Sequence, residues 1–131
     1  MTVRPIRTER APAPIGPYSQ AMLVPAGAEL LYVSGQIPVD PASGALVTGG
    51  IEAETRQVLA NLTAILEAAG HRWSDVVKVN VFLKDMGDFA IVNGIYATVV
   101  ADPPPARAAV QVAALPLGVS VEIELVSARG A

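Results

Sequence analysis

Residues 103–121 carry a single charged side chain, Arg107, within the stretch DPPPARAAVQV. The three prolines before it fix φ, so the cation is presented on stiff backbone with little freedom left to lose on binding. A guanidinium fork pairs bidentately with a carboxylate, which makes Arg107 a candidate anchor for a small anionic ligand. An arginine in apolar surroundings also serves as half of an internal ion pair, and Glu122 or Glu124 would then be its partner. These glutamates alternate with Val119, Val121, Ile123 and Leu125 and so share one face of a strand. Either could act as a base or orient a water, and either could simply belong to a solvated strand face.

Weaker candidates surround these. Tyr18, in IGPYSQ, lies in a loop whose Gly and Pro fix a turn, and it reads either as a ligand contact or as packing with a hydrogen-bonded tip. Gly35, in SGQ, would let a ligand approach the backbone, or it marks a bulge. Asn93 interrupts an apolar helix face four residues after Phe89, as a satisfied buried amide or as a contact to a ligand or neighbouring subunit. His71, next to a helix stop, reads as a surface residue with no serine and acid arranged around it. With no cysteine and one histidine, the chain offers no thiolate nucleophile, no disulfide and no multi-histidine or Cys-ligated metal site. No metal is expected.

The elements that must position these groups follow from periodicity. Two apolar runs flank the turn-prone Pro25–Glu29 stretch and predict a hairpin, and PVDPASGALV predicts a second turn. Ile51, Val58, Leu62, Ile65 and Ala69, widened by Leu59 and Leu66, predict a helix over 51–69 with acids in its first turn and Gly70 as its stop. Val77, Val79, Val81 and Leu83 alternate with Lys78, Asn80 and Phe82, predicting a strand. Phe89, Val92, Tyr96 and Val99 predict a second helix, capped by Asp85 or Asp88 and ended by the prolines. Strands over ARAAVQVAAL and VSVEIELVS close the chain. Each helix falls between strands, so two helices packed on one face of a mixed sheet is the simplest α+β arrangement. The opposite sheet face then needs a cover.

The 131 residues fit one compact domain spanning 1–131. Hydrophobic residues make up 52% and charged residues 16%, a balance that predicts apolar surface covered by a second copy of the chain. A net charge of −3 with no basic cluster argues against nucleic acid. The arginine-bearing leader lacks an apolar core of signal length, and no later run approaches a membrane span. A soluble cytoplasmic protein is expected.

Taken together, APAPIGPYSQA, LYVSGQIPVDPASG, VVKVNVFLKDMGDFAIVNGIY, PPARAAVQVAALP and VEIELVSA resemble the reactive intermediate deaminase family, also called Rid or YjgF. The resemblance spans nearly the whole chain in the right order. It implies a chorismate-mutase-like homotrimer with a central β-barrel and clefts between subunits. It also implies hydrolysis of 2-imino acids, or their enamine tautomers, to 2-oxo acids and ammonia without metal or organic cofactor. Arg107 stands at the family's substrate-carboxylate arginine and Glu122 at the acidic residue implicated in activating or positioning water. Tyr18, Gly35 and Asn93 match pocket positions, and the backbone of Ala109 would face the ligand. Tyr18 and Asn93 could reach a given pocket from different subunits.

Two departures stand out. Many members carry cysteine where this chain has Ala109, which removes any thiol chemistry there, and the segment between Tyr96 and Arg107 is short. A non-catalytic trimer that binds small carboxylates as a sensor or accessory protein is the alternative. RNA cleavage, reported for some members, fits poorly with the acidic balance.

Overall fold

The computed structural model describes residues 2–130. Its strands are β1 (Arg4–Ile6), β2 (Ala21–Leu23), β3 (Glu29–Gln36), β4 (Val39–Asp40), β5 (Ala45–Leu46), β6 (Val76–Leu83), β7 (Ala106–Gln111) and β8 (Val121–Arg129). Its α-helices are α1 (Gly50–Ala68) and α2 (Phe89–Ala97). The main sheet runs β3-β8-β6-β7, with β6 and β7 parallel and the other pairs antiparallel. The α+β arrangement with two helices and a mixed sheet is therefore present.

The alternation in β6 and β8 decides which face carries the helices. Val79, Val81 and Leu83 of β6 and Val121, Ile123 and Leu125 of β8 are buried, against Val58, Leu59, Leu62 and Leu66 of α1 and Val92, Ile95 and Tyr96 of α2. In α1 the buried residues are Thr55, Val58, Leu59, Leu62 and Leu66, so the buried stripe is rotated from the predicted one: Ile51 and Ile65 lie at its margin and Ala69 is exposed. The opposite sheet face carries Lys78, Asn80, Phe82, Glu122 and Glu124. It leaves Leu30, Tyr32 and Val110 between 45% and 73% exposed, the uncovered apolar surface that the composition foretold.

Two sequence expectations are corrected. The predicted hairpin across Pro25–Glu29 does not form: β2 pairs antiparallel with β1, and β3 pairs with β8. The eight-residue β3 finds a long partner in the nine-residue β8, whereas β2 offers only three residues. The smaller turn is as expected, with β4 and β5 paired across it.

His71 is not a surface residue; it is 2% exposed. Gly70, at φ +75°, ends α1 in a Schellman motif, with its N–H bonded to Glu67 O at 3.0 Å and the His71 N–H to Leu66 O at 2.9 Å. That geometry turns the residue after the glycine back against the helix, so position 71 is directed inward. Its Nδ1 lies 2.7 Å from the fully buried Ser127 Oγ and its Nε2 2.8 Å from Glu29 Oε1, tying the helix stop to β8 and β3. His71→Ala is expected to cost about 3 kcal/mol in urea unfolding, because it opens a cavity and strands the Ser127 hydroxyl without a partner.

Candidate functional site

Arg107 pairs in register with Val79 and so points to the helix face of the sheet. There it meets α2: Arg107 Nη1 donates to Asn93 Oδ1 at 2.6 Å. The guanidinium carbon lies over three rings, 5.1 Å from the Tyr96 centroid and 5.6 Å from those of Tyr18 and Phe89. Among the described residues no carboxylate lies within ion-pair distance of it. Neither Glu122 nor Glu124 is its partner, so the internal ion-pair reading falls. Burial pulls the Arg107 pKa down from its ordinary value, opposed by Tyr96 and Tyr18. Burial also drives the Tyr96 phenol well above its usual range.

Tyr18 arrives from the leader because the leader is clipped to the proline run. Ser19 N–H bonds Pro105 O at 3.1 Å, Ser19 Oγ bonds Pro104 O at 2.5 Å, and Ser19 bridges Ala106 in parallel. A tight turn from Tyr18 N to Gly16 O, 2.8 Å, then sets the ring over Arg107. Sequence reasoning missed Gln20, whose amide nitrogen donates to Thr8 O, Ala11 O and Pro12 O at 2.8–3.2 Å while its Oε1 accepts from Thr8 N at 2.7 Å. The signal was available: a leader rich in proline offers carbonyls without matching N–H donors, and a glutamine amide supplies donors.

A cavity of about 270 Å³ opens beside the guanidinium. Gly16, Tyr18, Asn93, Arg107 and Ala109 line it together with the apolar Ile15, Met86 and Phe89. The site thus offers one cation, held by neutral groups, in a space fitted to a small organic anion. A neighbouring cavity of about 440 Å³ shares Gly16 and Tyr18 and is walled by the leader and Pro103–Pro104; it does not reach Arg107.

Tyr18, Asn93, Ala109 and Arg107 therefore meet within one chain. Gly35 and Glu122 do not join them. Glu122 pairs in register with Phe82 and lies on the opposite, uncovered face of the sheet. A Cβ built on Gly35 would collide with the Glu122 carboxylate, whose carbon would be 2.9 Å away. The register shift between Val33 and Gln36 marks the local bulge. What approaches Gly35 closely is this chain's own carboxylate. Glu124 Oε2, one turn of the alternation away, accepts from Asn80 Nδ2 at 3.2 Å.

Comparison with known proteins converges on one family. The endoribonuclease L-PSP family matches residues 8–129. The 2-iminobutanoate/2-iminopropanoate deaminase of Mus musculus is 53% identical over 125 residues, 95% of this chain and 90% of that protein. The crystal structure of RidA from the Antarctic bacterium Psychrobacter sp. is 48% identical with a TM-score of 0.72, covering 95% of this chain and 98% of that one. That of E. coli TdcF with bound serine is 38% identical with a TM-score of 0.70, covering 97% and 99%.

Proposed function

Because the chain belongs to the endoribonuclease L-PSP family, the Rid/YjgF family of its sequence resemblance, we propose that it hydrolyses reactive 2-imino acids and their enamine tautomers to 2-oxo acids and ammonia. The observation that carries this reading is the Arg107 guanidinium, paired with no acid among the described residues and facing a small cavity. Its free N–H donors suit the carboxylate of an imino acid. The named activity of the mouse relative and the serine bound to TdcF, an amino acid with the same anionic end, support the same assignment.

The chemistry needs little machinery. An imine carbon is already electrophilic, so fixing the carboxylate and one water in line supplies much of the acceleration. Water adds to the C=N carbon, the resulting carbinolamine breaks its C–N bond, and the products are a C=O group and ammonia. Glu122 is the group that takes the water proton and returns it to the departing nitrogen.

Arg107 and Glu122 sit on opposite faces, and β7 and β3 are opposite edges of the sheet. A head-to-tail ring that sets one chain's β7 edge beside the next chain's Gly35–Glu122 corner brings the two halves together and covers the apolar face. A cyclic homotrimer is the assembly we assign, and its ligands are small 2-imino and 2-oxo acids.

The test is a dehydratase-coupled assay in which semicarbazide traps the free imine. Added protein is expected to accelerate oxo-acid release and suppress the trapped product, and more so for imines of neutral amino acids than for that of glutamate, whose second carboxylate would face Ile15, Met86 and Phe89. No acceleration with several imines would overturn the reading. Calorimetric binding of a 2-oxo acid without turnover would instead favour a carboxylate-binding trimer, which the completeness of the Arg107 half-site within one chain allows.

A further inference from the structure

Arg107 is partly buried with no counter-carboxylate among the described residues, so neutral groups hold it in place. Asn93 takes one N–H. Three ring faces also lie against it, and these attract the cation through the π quadrupole without consuming any donor. An acidic partner would have occupied the fork; aromatic faces leave it open.

The three rings are not equivalent. Tyr18 and Phe89 line the cavity, whereas Tyr96 does not, so it stands behind the guanidinium, away from a ligand. Tyr96 is also the nearest ring, at 5.1 Å, and is 0% exposed, fixed on α2 within the core. Its hydroxyl is buried with no hydrogen-bond partner among the described residues. Core packing alone is served by phenylalanine, which fills the same ring volume without desolvating an oxygen. The electron-donating oxygen is instead consistent with a ring used for its face toward a cation.

Resting on the reading of Arg107 as the carboxylate anchor, we propose that Tyr96 is a positioning residue: its buried ring, set behind the guanidinium, replaces an acidic partner and keeps the N–H donors of Arg107 free and aimed at the guest's anionic end. It acts through Arg107 and touches no substrate. Binding of the carboxylate, more than the bond-breaking steps, is what it controls.

The experiment uses the full chain as wild type, Tyr96→Phe and Tyr96→Leu, with three readouts. The first is NMR of the ligand-free protein with labelled arginine, where ring currents are expected to displace the Arg107 side-chain protons upfield in wild type and Tyr96→Phe and much less in Tyr96→Leu. The second is calorimetry with pyruvate, where Tyr96→Leu is expected to weaken Kd about tenfold and Tyr96→Phe by no more than about threefold. The third is imine turnover, where KM rises with Kd in Tyr96→Leu while kcat stays within about threefold.

A folded Tyr96→Leu with unchanged Kd, a Tyr96→Phe as impaired as Tyr96→Leu, or wild-type Arg107 protons at ordinary shifts would each overturn the proposal. If Tyr96→Leu fails to fold, Tyr96→Met, which refills the core without a ring, takes its place in all three readouts. Pyruvate binding with the expected Tyr96 dependence but no imine turnover would sink the deaminase reading and leave this one standing. Normal turnover in a Tyr96→Leu with unchanged KM would do the reverse.

Discussion

Arg107→Ala is expected to lower kcat/KM for 2-iminopropanoate about thirty- to a thousandfold, equivalent to roughly 2–4 kcal/mol, with thermal midpoint and oligomeric state retained. The size follows from losing a charge-assisted, bidentate contact in a site with no second cation among the residues lining it. The retained stability follows from what the side chain does not do in the folded chain. Among the described residues it closes no ion pair, and its one hydrogen bond there, to Asn93, leaves an amide beside an open cavity where water can replace it. Arg107→Lys is expected to recover less than about tenfold of the loss, since an ammonium keeps the charge and the ring contacts but not the planar fork. Steady-state kinetics beside a thermal melt check both variants. An Arg107→Ala chain that no longer folds would return the residue to a structural role.

How much of this was legible in the sequence depended on contrast between neighbouring residues. The alternation in Val76–Leu83 and Val121–Arg129 sets valine, leucine and isoleucine against lysine, asparagine and glutamate, so strand, face and partner helices could all be read. Residues 106–111 have no such contrast, because alanine occurs on both faces of the strand, at Ala106 and Ala108 on one and at Ala109 on the other. The strand was readable there, but the face of Arg107 was not. Only its register with Val79 places it under α2, and only the β8 register places Glu122 on the other side. The aromatic surround of Arg107 joins Tyr18 of the leader to Phe89 and Tyr96 of α2, and although the two helix residues were legible as one stripe, nothing local showed that the stripe and the leader meet over Arg107. The burial of His71 did have one, since a glycine helix stop followed by a large residue is the Schellman pattern; a polar side chain at that position masked it. The pairing of β2 with β1 was hidden because three-residue strands leave too short a pattern to detect.

Glu122 and Gly35 give the second large effect, and they separate catalysis from binding. Glu122→Gln preserves the shape over Gly35 but cannot take a proton, so kcat is expected to fall about a hundredfold or more while the Kd of pyruvate holds. Gly35→Ala makes the complementary change. The added methyl meets the far end of a flexible side chain rather than backbone, so the carboxylate swings aside at little cost in stability, and kcat falls at least about tenfold because the base is misplaced. In the Glu122→Gln background Gly35→Ala should have little further effect, since the group it displaces no longer transfers protons. Separation of the two half-sites across the sheet adds a sharper consequence. Arg107→Ala and Glu122→Gln chains, each nearly inactive alone, should regain activity when unfolded and reassembled together, because a trimer that contains both kinds of chain has junctions where an intact Arg107 faces an intact Glu122. At equal mixing about a quarter of the junctions are of that kind, so recovery approaching a quarter of wild-type activity is the expected result. No recovery in mixed oligomers confirmed by mass spectrometry would mean that the reaction does not draw on two chains, and the assignment of Glu122 as the proton carrier would fall with it.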